Sequence, residues 1–386
     1  MGKINKKMLV FFPENPFSKR AGNVTRCKTN IEIFSKLGYT IDLVGSFDIY
    51  NDMKDELLIE SNLINNHFLI KRKPKDESFL KKITFKILKK IYKKRDNIFT
   101  TPYFLYQFKK IIQLNKYDVI FVNYEFWHEL LDFKELNNTQ KIIDTHDWIT
   151  SNEFYKNNKL NIGKKFNSEL NNLNKFDKII TISHNENFIF KSFLGEKVIN
   201  IPPQFKENFV TTPVSDRKYD LIFVGSDNPF NIKAIHWFLE NVYPLLPIQI
   251  KICIVGRVSN NVSDYKNIEK HIFVEDLSSF YNQSKIAICP MLEGTGIKIK
   301  VVEALSYGLP IAGTLKSIDG FVASINNGCL VSNSPHEFST SIQKLLTDSL
   351  YYGKIKNEGI SFFNQNFSEN IVTKIWEGVL ENSSEL

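Results

Sequence analysis

The stretch from Cys289 to Thr314, CPMLEGTGIKIKVVEALSYGLPIAGT, holds the densest set of residues able to do chemistry. A short apolar run ends at Pro290, and Gly294, Thr295 and Gly296 form a turn ahead of a helical pattern carrying Lys298, Lys300 and Glu303. Glycines let a backbone approach a phosphate, and the first turn of a helix offers unpaired N–H groups and positive potential. Lysines at such a place neutralise a diphosphate. Three residues along a helix advance the side chain by about 300°, so Lys300 and Glu303 share one face. A glutamate there can accept hydrogen bonds from both hydroxyls of a ribose. A glycine turn followed by lysines is also common structural punctuation, and on this chemistry alone both readings stand.

Other candidates also stand at the ends of apolar runs, where parallel sheets bind their ligands. His146 and Asp147 follow Lys141–Asp144; a loop-capping histidine is the alternative for the first. Gly22, in AGNVTR, lies between the first apolar run and a helical pattern, where it either brings backbone to a leaving diphosphate or only turns the chain. Gly225 and Ser226 close the run Tyr219–Val224 as a phosphate-side turn, and Gly256 and Arg257 close Gln249–Val255, with Arg257 a candidate partner for a diphosphate or base. Lys233 is either a further phosphate cation or a solvated helix lysine. No metal is expected: the seven histidines are dispersed, and no HxH, HExxH or DxD pair stands at a strand end. No GxSxG nucleophile elbow occurs either. A nucleotide bound by these residues is expected to be a substrate, with no cofactor.

The elements that must position these groups alternate short apolar runs with helical patterns, which predicts parallel sheets covered by helices. In the first half the predicted strands are Met8–Phe12, Thr40–Val44, Val119–Asn123, Lys141–Asp144, Lys178–Ser183 and Val198–Ile201, with helices at Val24–Leu37 and Phe104–Leu114. Pro202-Pro203 and the polar stretch Lys206–Arg217 read as a linker. The alternation then restarts with strands Tyr219–Val224, Gln249–Val255, His271–Val274, Ile286–Cys289 and Pro310–Gly313 and helices Ile232–Asn241, Leu277–Gln283 and Ile299–Tyr307. We therefore expect an amino-terminal domain over 1–202 and a carboxy-terminal domain over 203–365. A last helix near Asn370–Leu380, within 366–386, is expected to cross back to the first domain. A chain of 386 residues, 42% hydrophobic and 24% charged, is long enough for two such cores. Its four scattered cysteines form neither a metal nor a disulfide pattern and suit a reducing cytoplasm. No run approaches the ~20 apolar residues needed to cross a bilayer.

The net charge of +8 is local in origin. Between Lys71 and Arg95 stand twelve basic residues against Asp76 and Glu77, so the rest of the chain is close to neutral. Leu80, Ile83, Thr84, Ile87, Leu88 and Ile91 recur there at helical spacing, with Lys81, Lys82, Lys86, Lys89, Lys90, Lys93 and Lys94 around them. A helix of this kind either packs on its own domain with a solvated charged face or docks on anionic lipid; its charge density favours lipid. Nucleic acid is not expected, since no binding motif or aromatic platform accompanies the basic run.

Gly294, Gly296, Lys298, Lys300, Glu303, Ala304, Gly308 and Pro310 together resemble the donor-binding segment of the group 1 (family 4) retaining glycosyltransferases, in the branch with a G-x-G-x-K-x-K-x-x-E-A pattern followed by G-x-P. YDLIFVGSDNPFNIKAIHWFLENVYPLL and KICIVGRV resemble further parts of the family's second domain. FFPENPFSKRAGNVTR, IIDTHDWIT and FDKIITISHNE resemble parts of its first, so the likeness runs over about 8–330. The resemblance implies the α/β GT-B fold, two Rossmann-like domains facing each other across a cleft, the first on the acceptor side and the second binding the nucleotide sugar. It implies His146 beside the sugar, with Asp147 next to it, and puts Glu275, Asp276 and Leu277 near the nucleobase. Many members carry two glutamates separated by seven residues, where this chain has Thr295 at the first place. Either an insertion brings Glu293 to that role, or the Thr295 hydroxyl and backbone N–H groups replace it.

The implied reaction is retaining transfer from a nucleotide-diphosphate sugar to a glycan or lipid-linked saccharide acceptor, in bacterial surface polysaccharide synthesis, in the cytoplasm on the inner face of the cell membrane. Leaving-phosphate oxygen would help remove the acceptor proton, and Lys300 would stabilise the departing diphosphate. Two alternatives share the scaffold: a nucleotide-sugar epimerase and a non-catalytic peripheral membrane adaptor. A dinucleotide dehydrogenase is disfavoured because no GxGxxG follows the first strand.

Overall fold

A computed structural model describes residues 6–18, 22–50, 62–74, 78–91 and 99–381. The chain divides into two compact units, one of residues 1–182, 187–201 and 376–386 and the other of 183–186 and 202–375.

The first unit is built on a seven-stranded parallel sheet. Its strands are β1 (Lys7–Phe11), β2 (Thr40–Ser46), β3 (Asn66–Ile70), β4 (Val119–Asn123), β5 (Gln140–Asp144), β6 (Lys178–Thr181) and β7 (Val198–Asn200). They lie in the order β3-β2-β1-β4-β5-β6-β7, so the order reverses between β1 and β4. Runs such as MLVF and VIFV are buried on both faces, as parallel strands covered by helices must be. The covering helices are α1 (Gly22–Lys36), α2 (Phe79–Ile91), α3 (Pro102–Leu114), α4 (Ile149–Lys156), α5 (Ile162–Leu173) and α6 (His184–Leu194). Phe11, Phe104 and Trp127 meet ring to ring in the core, with Phe104 and Trp127 centroids 5.2 Å apart.

Register is pinned by one device used three times: an aspartate at a strand's entrance accepts the backbone N–H that opens its neighbour. Asp118 takes Lys7 N at 2.7 Å, Asp177 takes Lys141 N at 2.7 Å, and Asp220, in the second unit, takes Lys251 N at 2.9 Å.

The second unit repeats the plan with six parallel strands, β8 (Tyr219–Val224), β9 (Ile252–Val255), β10 (Ile268–His271), β11 (Ser284–Cys289), β12 (Ile311–Gly313) and β13 (Cys329–Val331), in the order β10-β9-β8-β11-β12-β13. Its helices are α7 (Pro229–Trp237), α8 (Ser278–Asn282), α9 (Ile299–Ser306), α10 (Pro335–Thr347), α11 (Ser349–Asn366) and α12 (Glu369–Glu381). The last part of α12 belongs to the first unit, where Trp376 meets Phe34 edge-on at 4.9 Å and Phe121 at 5.7 Å.

Two short edge strands, β3 and β13, are absent from the sequence reading, and one strand is displaced. The apolar triplet Ile272-Phe273-Val274 suggests a strand to Val274, but β10 ends at His271, whose carbonyl accepts Gly256 N at 2.7 Å. Ile272 and Phe273 are exposed beyond it. No helix among the described residues is long and apolar enough to cross a membrane.

Candidate active site

In the second unit, the carboxyl ends of β8, β9 and β11 bring the candidate residues together around the reversal between β8 and β11. Gly225 follows β8 and Gly256 follows β9, and they touch. Gly256 has φ +103°, and a Cβ there would lie 2.2 Å from the Gly225 carbonyl oxygen, so only glycine fits. Arg257 Nε lies 3.3 Å from Asp227, just after the exposed Ser226. Lys300, on the first turn of α9, donates to Asn231 Oδ1 at 2.5 Å and stands over the Phe223 ring at 4.6 Å. Asn231 in turn donates to the Ser226 carbonyl at 3.0 Å. Lys300 is thereby tied to the β8 turn, and burial pushes its ammonium down to about 8.

Glu303, one turn further along α9, accepts from the Tyr281 hydroxyl at 3.1 Å. Tyr281 is fully buried and stacks on Tyr307 at 4.7 Å. Burial raises the Glu303 carboxyl to about 7, against the lowering effect of the tyrosine hydrogen bond. The shared face expected of Lys300 and Glu303 is thus occupied by two separate partners, Asn231 for one and Tyr281 for the other.

The turn before α9 is held from within. Gly294 and Gly296 have φ of +100° and +67°, and the buried Lys298 turns back to donate to the carbonyls of Gly296 at 2.8 Å and Thr295 at 3.2 Å. The Lys298 ammonium therefore holds the turn carbonyls. Glu293 forms an ion pair with Lys233 between two exposed side chains. Glu275 is exposed and Leu277 half-buried, both in the loop after β10. Leu277 contributes its carbonyl to Tyr281 N at 3.0 Å.

In the first unit the candidates gather where β4 and β5 end. His146 is 4% exposed and has φ +60°, and Tyr124, just after β4, has φ +69°. Neither is glycine, so both carry strain that the surroundings must hold. Their rings stack at 4.4 Å. His146 Nε2 bonds Asn123 Oδ1 at 2.8 Å and lies 3.9 Å from Asp144 Oδ2. Asp144 is fully buried and paired with Arg26 of α1 (Nε–Oδ2 2.7 Å), while Asn30 donates to it at 3.1 Å. Arg26 also reaches the Ile201 carbonyl at 2.8 Å. Burial holds the His146 imidazole down to about 4, so it is neutral at physiological pH. Beyond the half-buried Asp147, Glu169 caps α4 by accepting Ile149 N and Thr150 N, each at 3.0 Å. Gly22 is the exposed first residue of α1.

Asn123, Tyr124, Arg26 and Asp144 around His146, and Asn231 and Tyr281 around α9, were not singled out from sequence. Only the position of Asn123, Tyr124 and Asp144 at the ends of apolar runs hinted at them. Among the described residues no group of three or more His, Cys, Asp or Glu is placed to hold a metal ion.

On the basic helix α2, Phe79 is 77% exposed, Leu80 75% and Ile87 53%, while the side chains of Leu88 and Ile91 lie outside the described residues. Phe85 faces the other way, meeting Tyr103 of α3 edge-on at 6.2 Å. Lys81, Lys82, Lys86 and Lys90 are exposed around the stripe. The Lys89 side chain and residues Lys93 and Lys94 lie outside the described residues.

Residues 218–348 match the family model of the group 1 glycosyl transferases. A curated relative from Klebsiella pneumoniae, named as an uncharacterized 44.6 kDa protein in the cps region, is 22% identical over 407 residues, which is 96% of this chain and 99% of that protein. The sucrose-phosphate synthase of Thermosynechococcus elongatus superposes with a TM-score of 0.71 at 13% identity, covering 98% of this chain and 99% of that one. The Anabaena HepE protein, solved in complex with UDP and glucose, superposes with a TM-score of 0.69 at 15% identity over 99% and 100% of the two chains. A glycosyltransferase from Rickettsia africae does so at 0.62, with 14% identity and 99% of each chain covered. These likenesses show the fold: GT-B, with two Rossmann-like α/β domains.

Proposed function

We propose, from a second unit whose residues 218–348 match the group 1 glycosyl transferases, that this protein transfers a sugar from a nucleotide-diphosphate donor to a glycan or lipid-linked acceptor, with retention. The observation that carries the reading is the convergence of Lys300, Glu303 and the Gly225 and Gly256 turns at the carboxyl ends of β8, β9 and β11. Gly225 N and Gly256 N are spent on the Val255 and His271 carbonyls, so what the close-packed glycines supply is room for a phosphate to approach the two turns. Lys300 stabilises the diphosphate as it leaves, and Lys233 and Arg257 add cations at the rim. Glu303 takes the ribose hydroxyls, with Thr295 and the backbone of its turn closing over the phosphates. His146 meets the transferred sugar.

The setting is surface polysaccharide synthesis, a reading supported by the K. pneumoniae relative's place in a cps region. We propose further that α2 seats the protein on the anionic inner face of the membrane, apolar stripe down and lysines at the headgroups. A thermal-shift panel of nucleotide sugars tests the donor claim: a ligand at 100 times its Kd adds about 2.7 kcal/mol of stability. UDP-glucose belongs in that panel because HepE has been solved with UDP-glucose. Silence across the panel would remove the donor site. Nuclear magnetic resonance of donor incubated without acceptor separates transfer from epimerisation, since an epimerase inverts a sugar carbon where a transferase only hydrolyses slowly.

A further inference from the structure

The polar chain behind His146 runs in one direction. Asn123 is completely buried, and its Nδ2 donates to the backbone carbonyl of Phe11 at 2.8 Å. A carbonyl only accepts, so the Asn123 amide has one orientation, with Nδ2 toward Phe11 and Oδ1 toward His146. Oδ1 also only accepts, and it lies 2.8 Å from His146 Nε2. Nε2 must therefore carry the ring proton. The imidazole is neutral, so Nδ1 presents a lone pair. Among the described residues nothing bonds Nδ1, and it is not closed off from solvent. The stacked Tyr124 ring and the positive φ of His146 fix the plane and direction of the imidazole.

We infer that Asn123 is a positioning residue that fixes His146 as the Nε2–H tautomer, so that Nδ1 accepts a hydrogen bond from a hydroxyl of the substrate. The inference rests on the reading of His146 as a sugar contact and deepens it, because it states what the contacted group must be. A neutral acceptor selects a donor group, a sugar hydroxyl, and disfavours a phosphate oxygen or a carboxylate, which would face lone pair against lone pair. The charged groups that bear on the ring are Asp144, 3.9 Å from Nε2, and Arg26, which pairs with Asp144 and balances it.

Two-bond proton–nitrogen correlation spectra of the full ¹⁵N-labelled chain test this without any donor, so the result does not depend on whether the donor reading holds. There are seven histidines, and His146→Ala identifies the resonances of interest. At neutral pH His146 should show a protonated Nε2 and a bare Nδ1. A protonated Nδ1, or an imidazolium at pH 7, would overturn the inference. Asn123→Asp keeps an acceptor at Nε2 and adds charge, and should move the His146 titration to higher pH by about one unit or more. An unmoved titration in that variant would also count against it. In transfer assays the same variant should lose kcat through this raised titration, reaching about a tenth of its own plateau one pH unit below it, where the imidazolium offers no lone pair, and should recover as the pH rises. A uniform loss across pH would mean that Asn123 serves only packing.

Discussion

Lys300 and Glu303 stand three residues apart on α9, and burial shifts each toward neutrality, the lysine down to about 8 and the glutamate up to about 7. The signs fix a pH window for nucleotide binding. Above about 7 Glu303 is a carboxylate, as the proposed ribose contact requires, and below about 8 Lys300 is an ammonium, as the proposed phosphate contact requires. Affinity for a nucleoside diphosphate should therefore peak between these values and fall on both sides, as calorimetry across pH would report. Glu303→Gln should flatten the acid limb and cost about 1–3 kcal/mol of binding at pH 8, the worth of a charge-assisted hydrogen bond. Lys300→Ala should flatten the alkaline limb and depress kcat more than binding, because charge on the leaving diphosphate grows in the transition state. His146→Ala should lower kcat while leaving nucleotide affinity near the parent value. The candidate residues of the proposed site were legible because glycine turns, strand ends and helix spacing leave local signatures. Asn231, Tyr281, Asn123 and Arg26 were not, since each acts through a partner far away in sequence. Arg26, for example, meets Asp144, 118 residues on.

At the scale of the element, the helix α2 carries the most consequential mismatch between a face and its surroundings. Phe79, Leu80, Ile83 and Ile87 form one exposed stripe at helical spacing, ringed by lysines, while Phe85 packs inward on Tyr103. Water is a poor solvent for that stripe, and each basic residue near an anionic surface adds about 1 kcal/mol of attraction. Sedimentation with anionic vesicles should remove the protein from solution at low salt and release it as salt rises. Neutral vesicles should not bind it, and replacing Lys81, Lys82, Lys86 and Lys90 by glutamine should weaken binding by several kcal/mol in sum. Equal binding to both vesicle types would exclude the lipid reading. The sheets were largely legible, because buried parallel strands such as Val119–Asn123 and Tyr219–Val224 are continuous apolar runs. β10 was not: three of its four residues, Glu269, Lys270 and His271, are polar, and Ile272 and Phe273 of the apolar triplet that follows lie exposed. β3 opens on the polar Asn66 and His67, and β13 is the three residues Cys329–Val331 alone, so neither gives a run of that length.

Across the whole molecule, α12 begins in the second unit and ends in the first, where Trp376 is fully buried against Phe34 and Phe121. Its indole N–H has no hydrogen-bond partner among the described residues, so the contribution of this side chain is apolar. Trp376→Ala should cost about 3–5 kcal/mol of first-unit stability and Trp376→Phe much less, a contrast that thermal unfolding monitored by hydrogen exchange resolves. The central claim is that the second unit holds a nucleotide-diphosphate sugar through Lys300 and Glu303. Its most direct test is calorimetry with paired ribo- and 2′-deoxynucleoside diphosphates on the parent and on Glu303→Gln. The parent should bind the ribonucleotide more tightly, and Glu303→Gln should bind the two alike. Equal discrimination by both proteins would contradict the claim and separate Glu303 from the ribose.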